Sequence, residues 1–408
     1  MSGTVVHDGE AMTPAAQALQ SSKRLVIKVG TSLIVDKDGS TSREWLAALA
    51  KDIFAFKSDG KEILIVSSGA IAVGLGVMST SAGKTRRDAK QSLKLETKQA
   101  ASAVGQAVLI DAWSQSLAPF DVPVGQVLLT LDDTRNRRRY LNARATLNAL
   151  LSEGAVPVIN ENDTLATNEI RYGDNDRLAA HVAELAGADT LLILSDVNGL
   201  YTADPTVSSD AVLIPEVAEI DPEIEAMAAD TRKDPGSGSG GMATKLASAR
   251  IAKSAGCATI IAKGSIDADG QSALTRVLAG SPATLFHAGS TVRSARKTWI
   301  KNLQSIAGSV VIDDGAVAAI RSGASLLPVG IVALEGNFSK GDLILIQSAS
   351  ATGGANPIIA RGLSTYDSVD LGKVVGRSSN EIAGILGYRR RDAVIDRDDM
   401  VLEDVNLS

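Results

Sequence analysis

The chain has 408 residues, 45% of them hydrophobic and 22% charged, the balance of a globular protein too long for a single core. A net charge of −6 and only 3% aromatic residues exclude a general attraction to nucleic acid or anionic membranes and leave little for base stacking. Cys257 is the only cysteine, which excludes an intrachain disulfide and a cysteine-built zinc site.

Residues 1–20 carry neither a basic start nor an apolar core, so residues 1–21 read as a disordered leader of a cytoplasmic protein, with no secretory signal. Short apolar runs then alternate with helix-like stretches. The runs at 25–29, 63–66, 122–129, 156–159, 191–194 and 259–262 are mostly apolar on successive residues, as a strand covered on both faces requires. Between them, 44–56, 97–117, 140–151, 176–185 and 244–255 have helical character. This alternation predicts an α/β domain over 22–287, with a mainly parallel sheet and helices on both faces. Residues 288–302, polar and partly basic, read as a linker. In 303–408 the runs 309–312, 316–320, 330–333, 343–347, 357–363 and 374–375 read as short strands separated by turn chemistry. They predict a small β-rich domain, barrel-like and with little helix. No apolar run reaches membrane-spanning length.

Two glycine motifs fail their context tests. Ala82-Gly83-Lys84-Thr85 resembles the end of a P-loop, but Met78 stands where its first glycine belongs and no apolar strand leads in. Residues 236–241 formally satisfy G-x-G-x-x-G, yet they follow a polar stretch. That loop still precedes a helix starting near Met242, whose bare N–H groups and Lys245 suit a phosphate. His7, His181 and His287 are far apart in sequence and outside any catalytic pattern.

Four strand ends carry better signals. Lys28 interrupts the apolar run 25–29, where desolvation demands an anionic partner, and Gly30 then lets the backbone approach a ligand. The run ending at Val66 enters the small-residue turn Ser67-Ser68-Gly69 and a helix. The run ending at Ile159 enters Asn160-Glu161-Asn162-Asp163, and Gly173-Asp174-Asn175-Asp176 opens the next helix. Clustered carboxylates and amides can grip an ammonium group or organise lysines and water around Mg²⁺. The fourth run closes on Ser195-Asp196, followed by a turn suited to adenine or ribose. In open α/β sheets ligands bind beyond the carboxyl ends of the strands.

The ordered set resembles the amino-acid kinase family. Its pieces are IKVGTS (27–32), SSGAIAVG (67–74), LNARATL (141–147), VINENDTLAT (158–167), GDND (173–176), GLYTADP (199–205) and GGMATK (240–245). SLLPVGI (325–331), GNFSKGD (336–342) and AGILGY (383–388) extend the resemblance into the tail, which is similar to a PUA domain. Together they cover residues 23 to about 386.

The resemblance implies ATP-dependent phosphorylation of the γ-carboxylate of glutamate, the first step of proline biosynthesis. Lys28 and Lys245 would flank the transferring phosphoryl group, with Asp176 holding both lysines. Ser68, Asp163 and Asn175 would bind the amino acid. Lys28, Ser195, Asp196, Ser239, Gly240, Gly241, Met242, Ala243, Thr244 and Lys245 would bind ATP, with Mg²⁺ held by phosphates and water. A carboxylate is already a deprotonated nucleophile at neutral pH, so no general base is needed. Asp163 suits a free α-ammonium and disfavours an N-acetylated analogue; it does not exclude aspartate. The resemblance also implies homo-oligomers, proline as feedback inhibitor and coupling to glutamyl-phosphate reductase. Ser195 keeps a hydroxyl where the family often has threonine, and 79–98 is longer and more charged than the family pattern.

Two alternatives stand beside this one. A sister kinase would act on aspartate, N-acetylglutamate, carbamate or a nucleoside monophosphate. An RNA-binding module would need a basic face, whereas 303–408 holds nine Lys and Arg against thirteen Asp and Glu, with Arg389-Arg390-Arg391 its one cluster.

Overall fold

The computed structural model describes residues 12–36, 38–81, 94–165, 174–229, 241–301, 303, 305–349, 356–388 and 392–403. The chain divides into two units: Met1–Arg135 with Ala143–Thr291, and Asn136–Asn142 with Val292–Ser408.

In the first unit, the helices before the first sheet crossovers are α1 (Pro14–Ser21), α2 (Thr31–Ile34) and α3 (Arg43–Ser58), with strands β1 (Arg24–Val29) and β2 (Glu62–Val66). Next come α4 (Ala70–Ser81), α5 (Leu95–Leu117), β3 (Val124–Leu129), α6 (Leu131–Arg135), α7 (Arg137–Ser152) and β4 (Val156–Glu161). The chain continues through α8 (Asn175–Ala186), β5 (Thr190–Ser195), β6 (Glu216–Val217), α9 (Pro222–Ala229), α10 (Met242–Ser254), β7 (Ala258–Lys263), α11 (Ala273–Leu278) and β8 (Ala283–Phe286). The first seven residues of the α7 region, Asn136–Asn142, count with the second unit.

The eight strands form one sheet in the order β3-β4-β2-β1-β5-β7-β8-β6. From β3 to β7 all neighbours are parallel; only β7 and β8 pair antiparallel. The carboxyl ends of six strands therefore share one edge. Side chains alternate between faces along a strand. Leu25, Ile27 and Val29 join the core with Trp45, Leu49 and Ile53 of α3. Lys28 consequently lies on the opposite face, where α8 packs across β1 and β5.

The expected leader is partly wrong. Residues 14–21 form α1, capped by Thr13, whose hydroxyl accepts from the Ala16 N–H, and Ala15 and Leu19 are buried in the main core. An apolar stripe at helical spacing beats the polar composition around it. Residues 1–11 lie outside the described residues, as do 82–93 of the charged 79–98 stretch, the P-loop-like residues among them.

The second unit contains α12 (Val292–Lys301), β9 (Ile306–Ile312), α13 (Asp314–Arg321), β10 (Ile331–Gly336), β11 (Leu343–Ser348), β12 (Ile358–Leu363), α14 (Ser368–Val374), α15 (Ile382–Leu386) and β13 (Met400–Leu402). Its strands form a mixed five-stranded sheet, β10-β9-β11-β12-β13, over a core that includes Val310, Ile312, Ile344, Ile346 and Tyr366.

Three expectations change here. The stretch read as a linker is largely α12. Residues 316–320 lie in helix: Asp313 is the N-cap, and its carboxylate accepts from the Ala316 N–H at 2.7 Å. Residues 374–375 end α14, which Asp367 caps through the Asp370 N–H at 2.8 Å. Arg389–Arg391 lie outside the described residues.

Candidate active site

Beyond β1 the chain turns at Gly30; beyond β2 it turns through Ser67, Ser68 and Gly69 into α4. Gly69 adopts φ +102°, and a Cβ there would lie 2.8 Å from Val35, so this turn requires glycine. Beyond β4 the chain passes through Asn162 and Asp163, and beyond β5 through Asp196.

Helix α8 brings these turns together through three consecutive residues. Asp174 is the N-cap, its Oδ1 accepting from the Asp176 N–H at 2.9 Å. Asn175 donates from Nδ2 to Ser68 Oγ at 2.7 Å and to the Ser67 carbonyl at 3.2 Å; its approach to Asn160 Oδ1 is 3.4 Å. Asp176, fully buried, points the other way: its Oδ1 lies 2.5 Å from Lys28 Nζ and its Oδ2 3.1 Å from Lys245 Nζ.

Lys28 and Lys245 are only 7% and 4% exposed. Burying two ammonium groups is costly, and one carboxylate compensates each with one oxygen. Two ammonium groups thus converge on opposite oxygens of one buried carboxylate. Burial alone would raise the Asp176 carboxyl, yet the two ammonium groups and their hydrogen bonds outweigh it and hold the group below the usual carboxylate range.

Lys245 reaches this point from the first turn of α10, whose N-cap is Gly241. The first N–H groups of a helix lack partners within its regular ladder, and no side chain caps this end among the described residues. Met242 is buried; Ala243, on the far side of α10 from Lys245, lines a cavity of about 240 Å³ with Ala228, Leu246 and Arg250. Thr244 turns its hydroxyl back to the Gly241 carbonyl at 2.7 Å. Ser239, Gly240 and Gly173 lie outside the described residues. Ser195 ends β5 one position past the partner of Val29, and its hydroxyl donates to Asp196 Oδ1 at 3.0 Å.

Asp163 is met from a different direction. Ser102 on α5, fully buried, donates to Asp163 Oδ2 at 2.9 Å. Farther along α5, Trp113 donates from Nε1 to Ser67 Oγ at 3.2 Å.

Four side chains around the site carry no individual mark in the sequence. Asp174 and Asn160 stand in the clusters at 173–176 and 160–163 without an individual signal. Asn160 Oδ1 accepts from the Glu161 N–H at 2.9 Å, and Asp174 Oδ2 is buried with no hydrogen-bond partner among the described residues. Ser102 and Trp113 left no local signal, because each acts across a distance in sequence. Cys257 has no part in the site: it is buried, and burial pushes its thiol well above its ordinary value.

The parallel sheet, the lysine pair at its carboxyl edge and the helix N-terminus beside them define an α/β enzyme that handles phosphate. The chain belongs to the amino acid kinase family, whose profile matches residues 23–263, and a PUA domain profile matches residues 308–386. Among curated relatives, "Glutamate 5-kinase 1" of Rhizobium meliloti (strain 1021) is 50% identical over 391 residues, covering 96% of this chain and 95% of its own. "Glutamate 5-kinase" of Paramagnetospirillum magneticum (strain ATCC 700264 / AMB-1) is also 50% identical, over 395 residues, covering 96% of this chain and all of its own.

Proposed function

We propose that this chain transfers the γ-phosphate of ATP to the γ-carboxylate of L-glutamate, acting in the cytoplasm in the first step of proline biosynthesis. The observation that carries this reading is the sharing of one buried carboxylate, Asp176, by Lys28 and Lys245 beside the Ser68–Asn175 pair. Relatives of the same length named for that activity support it.

In the reaction an oxygen of the substrate carboxylate attacks the γ-phosphorus as the bond to the β-bridging oxygen breaks, giving an acyl phosphate and ADP. Negative charge spreads over the equatorial and leaving oxygens. Lys28 and Lys245 answer that charge from fixed positions, because Asp176 leaves neither ammonium free to swing away. The N-terminus of α10 and Ser195 hold the nucleotide, with Asp196, Gly241, Met242, Ala243 and Thr244 around it. Ser68 and Asn175 bind the amino acid, and Asp163 pairs with its α-ammonium. Mg²⁺ bound to the phosphates would offset part of their charge, leaving Lys28 and Lys245 to answer the rest.

A pairing of Asp163 with a free ammonium predicts preference for glutamate over N-acetylglutamate, which has no such charge. The full chain with Mg-ATP and L-glutamate should release ADP and yield a hydroxamate when hydroxylamine traps the acyl phosphate. Equal turnover of N-acetylglutamate or aspartate would overturn the assigned acceptor.

A further inference from the structure

Asp163 stands in a turn after β4, outside any regular element, yet the reading above asks it to fix the amino end of the substrate. A loop carboxylate that must select its own rotamer loses entropy on each binding event. Here a helix supplies one hydrogen bond that fixes a carboxylate oxygen. Ser102 is fully buried on α5 and its hydroxyl donates to Asp163 Oδ2 at 2.9 Å.

The placement of Ser102 is fixed by a contact that begins at the acceptor turn itself. Helix α4 starts at Ala70, directly after Ser68 and Gly69. Its Gly74 meets Gly105 of α5 with backbones touching: a Cβ on Gly74 would lie 1.7 Å from the Ala101 carbonyl oxygen, and one on Gly105 would lie 1.8 Å from that of Ala70. Neither position accepts any other residue without the helices parting. Ser102 follows Ala101 directly. Three turns along the same helix, Trp113 holds Ser67. One rigid pair of helices therefore carries Ser68 at the start of α4 and the donor to Asp163 on α5.

We infer that Ser102 is a positioning residue that sets the orientation of Asp163 toward the α-ammonium of the acceptor, and so tunes selection of the amino acid without touching the phosphoryl group. This rests on the reading that Asp163 pairs with that ammonium. Ser102 is not a catalytic residue; its effect passes through Asp163.

The test is Ser102→Ala in the full chain, a change that suits a helix and removes only the hydroxyl. KM for L-glutamate should rise about tenfold, the scale of one hydrogen bond to a charged group, while kcat and KM for ATP stay within about twofold. Glutarate, which has both carboxylates but no amine, serves as a competitive inhibitor whose inhibition constant should be the same for the variant and the unaltered chain. An unchanged KM for glutamate would overturn the inference. So would an equal weakening for glutarate, since Ser102 would then support the fold of the site in general. Asp163→Asn separates this inference from the reading beneath it. If Asp163→Asn raises KM for glutamate and Ser102→Ala does not, only the positioning role falls. If Asp163→Asn leaves KM unchanged, both fall.

Discussion

Each unit buries cations, but the two arrangements end differently. In the second unit Arg296 donates from Nε and Nη2 to Asp399 Oδ1 at 3.1 and 3.0 Å and from Nη1 to the Tyr140 hydroxyl at 3.1 Å. Its guanidinium also lies 4.5 Å from the Trp299 ring centre and 5.2 Å from that of Tyr140. Both its edges and its planar surface are engaged, as suits a group that holds a fold together. In the first unit two ammonium groups, each with three donors, lean on the opposite oxygens of one carboxylate. No aromatic surface covers Lys28 or Lys245 among the described residues. The guanidinium is engaged on its edges and its plane, whereas the two ammonium groups converge on one carboxylate at the strand ends, where ligands of open α/β sheets bind.

That contrast can be broken by exchanging the expected phenotypes. The largest effect should come from Lys28→Ala and Lys245→Ala, each lowering kcat about 10²–10³-fold with a much smaller change in KM for glutamate, because the charge they answer develops in the transition state. A variant of either lysine with near-normal kcat would remove it from the mechanism. Arg296→Ala should do the reverse. Leaving the largely buried Asp399 without its cation costs about 3–5 kcal/mol by the usual scale for a broken buried pair, seen as a lower midpoint in denaturant, with kcat within about twofold. A loss of kcat without a loss of stability would end the distinction between the two clusters.

The smallest effect is conditional on pH. The folded Asp176 carboxyl titrates below its ordinary value of 3.8, so its contribution is fully present above that pH and is lost as pH falls through the folded value. The stability difference between the unaltered chain and Asp176→Asn should therefore be constant near neutrality and narrow below about pH 4, where the unfolded chain takes up a proton that the native carboxylate does not, until the native carboxyl is itself protonated. A difference that does not change between pH 7 and pH 2 would show that Asp176 does not act through its charge.

Legibility followed the range of the forces involved. The apolar runs that became β1, β2, β4, β5 and β7 were readable because strands covered on both faces tolerate almost nothing polar, and Lys28 stood out for that reason. In the tail, the Asp-Asp-Gly segment at 313–315 suits a turn as well as a helix start, because the same side chains cap helices and make turns; only the following backbone shows which. Segment 136–142 belongs with the tail by packing, although 149 residues separate them in sequence. With Val292–Lys301 it adds Arg137, Arg138, Arg139, Arg293, Arg296, Lys297 and Lys301 to a unit that looked acidic when only 303–408 was counted.

The buried lysine at position 28, the glycine at 241 and the acid-rich opening of α8 were determined by sequence, since each is a local violation of an apolar or helical pattern that needs a reason. Tertiary structure decided what those violations were for. Strand alternation put Lys28 on the face beneath α8, and the crossing of α8 with α10 set Lys245 on the second oxygen of Asp176. The hydroxyl of Ser102 gained its meaning from Asp163, 61 residues away, because hydrogen bonds depend on distance in space and leave no trace in the spacing of the chain.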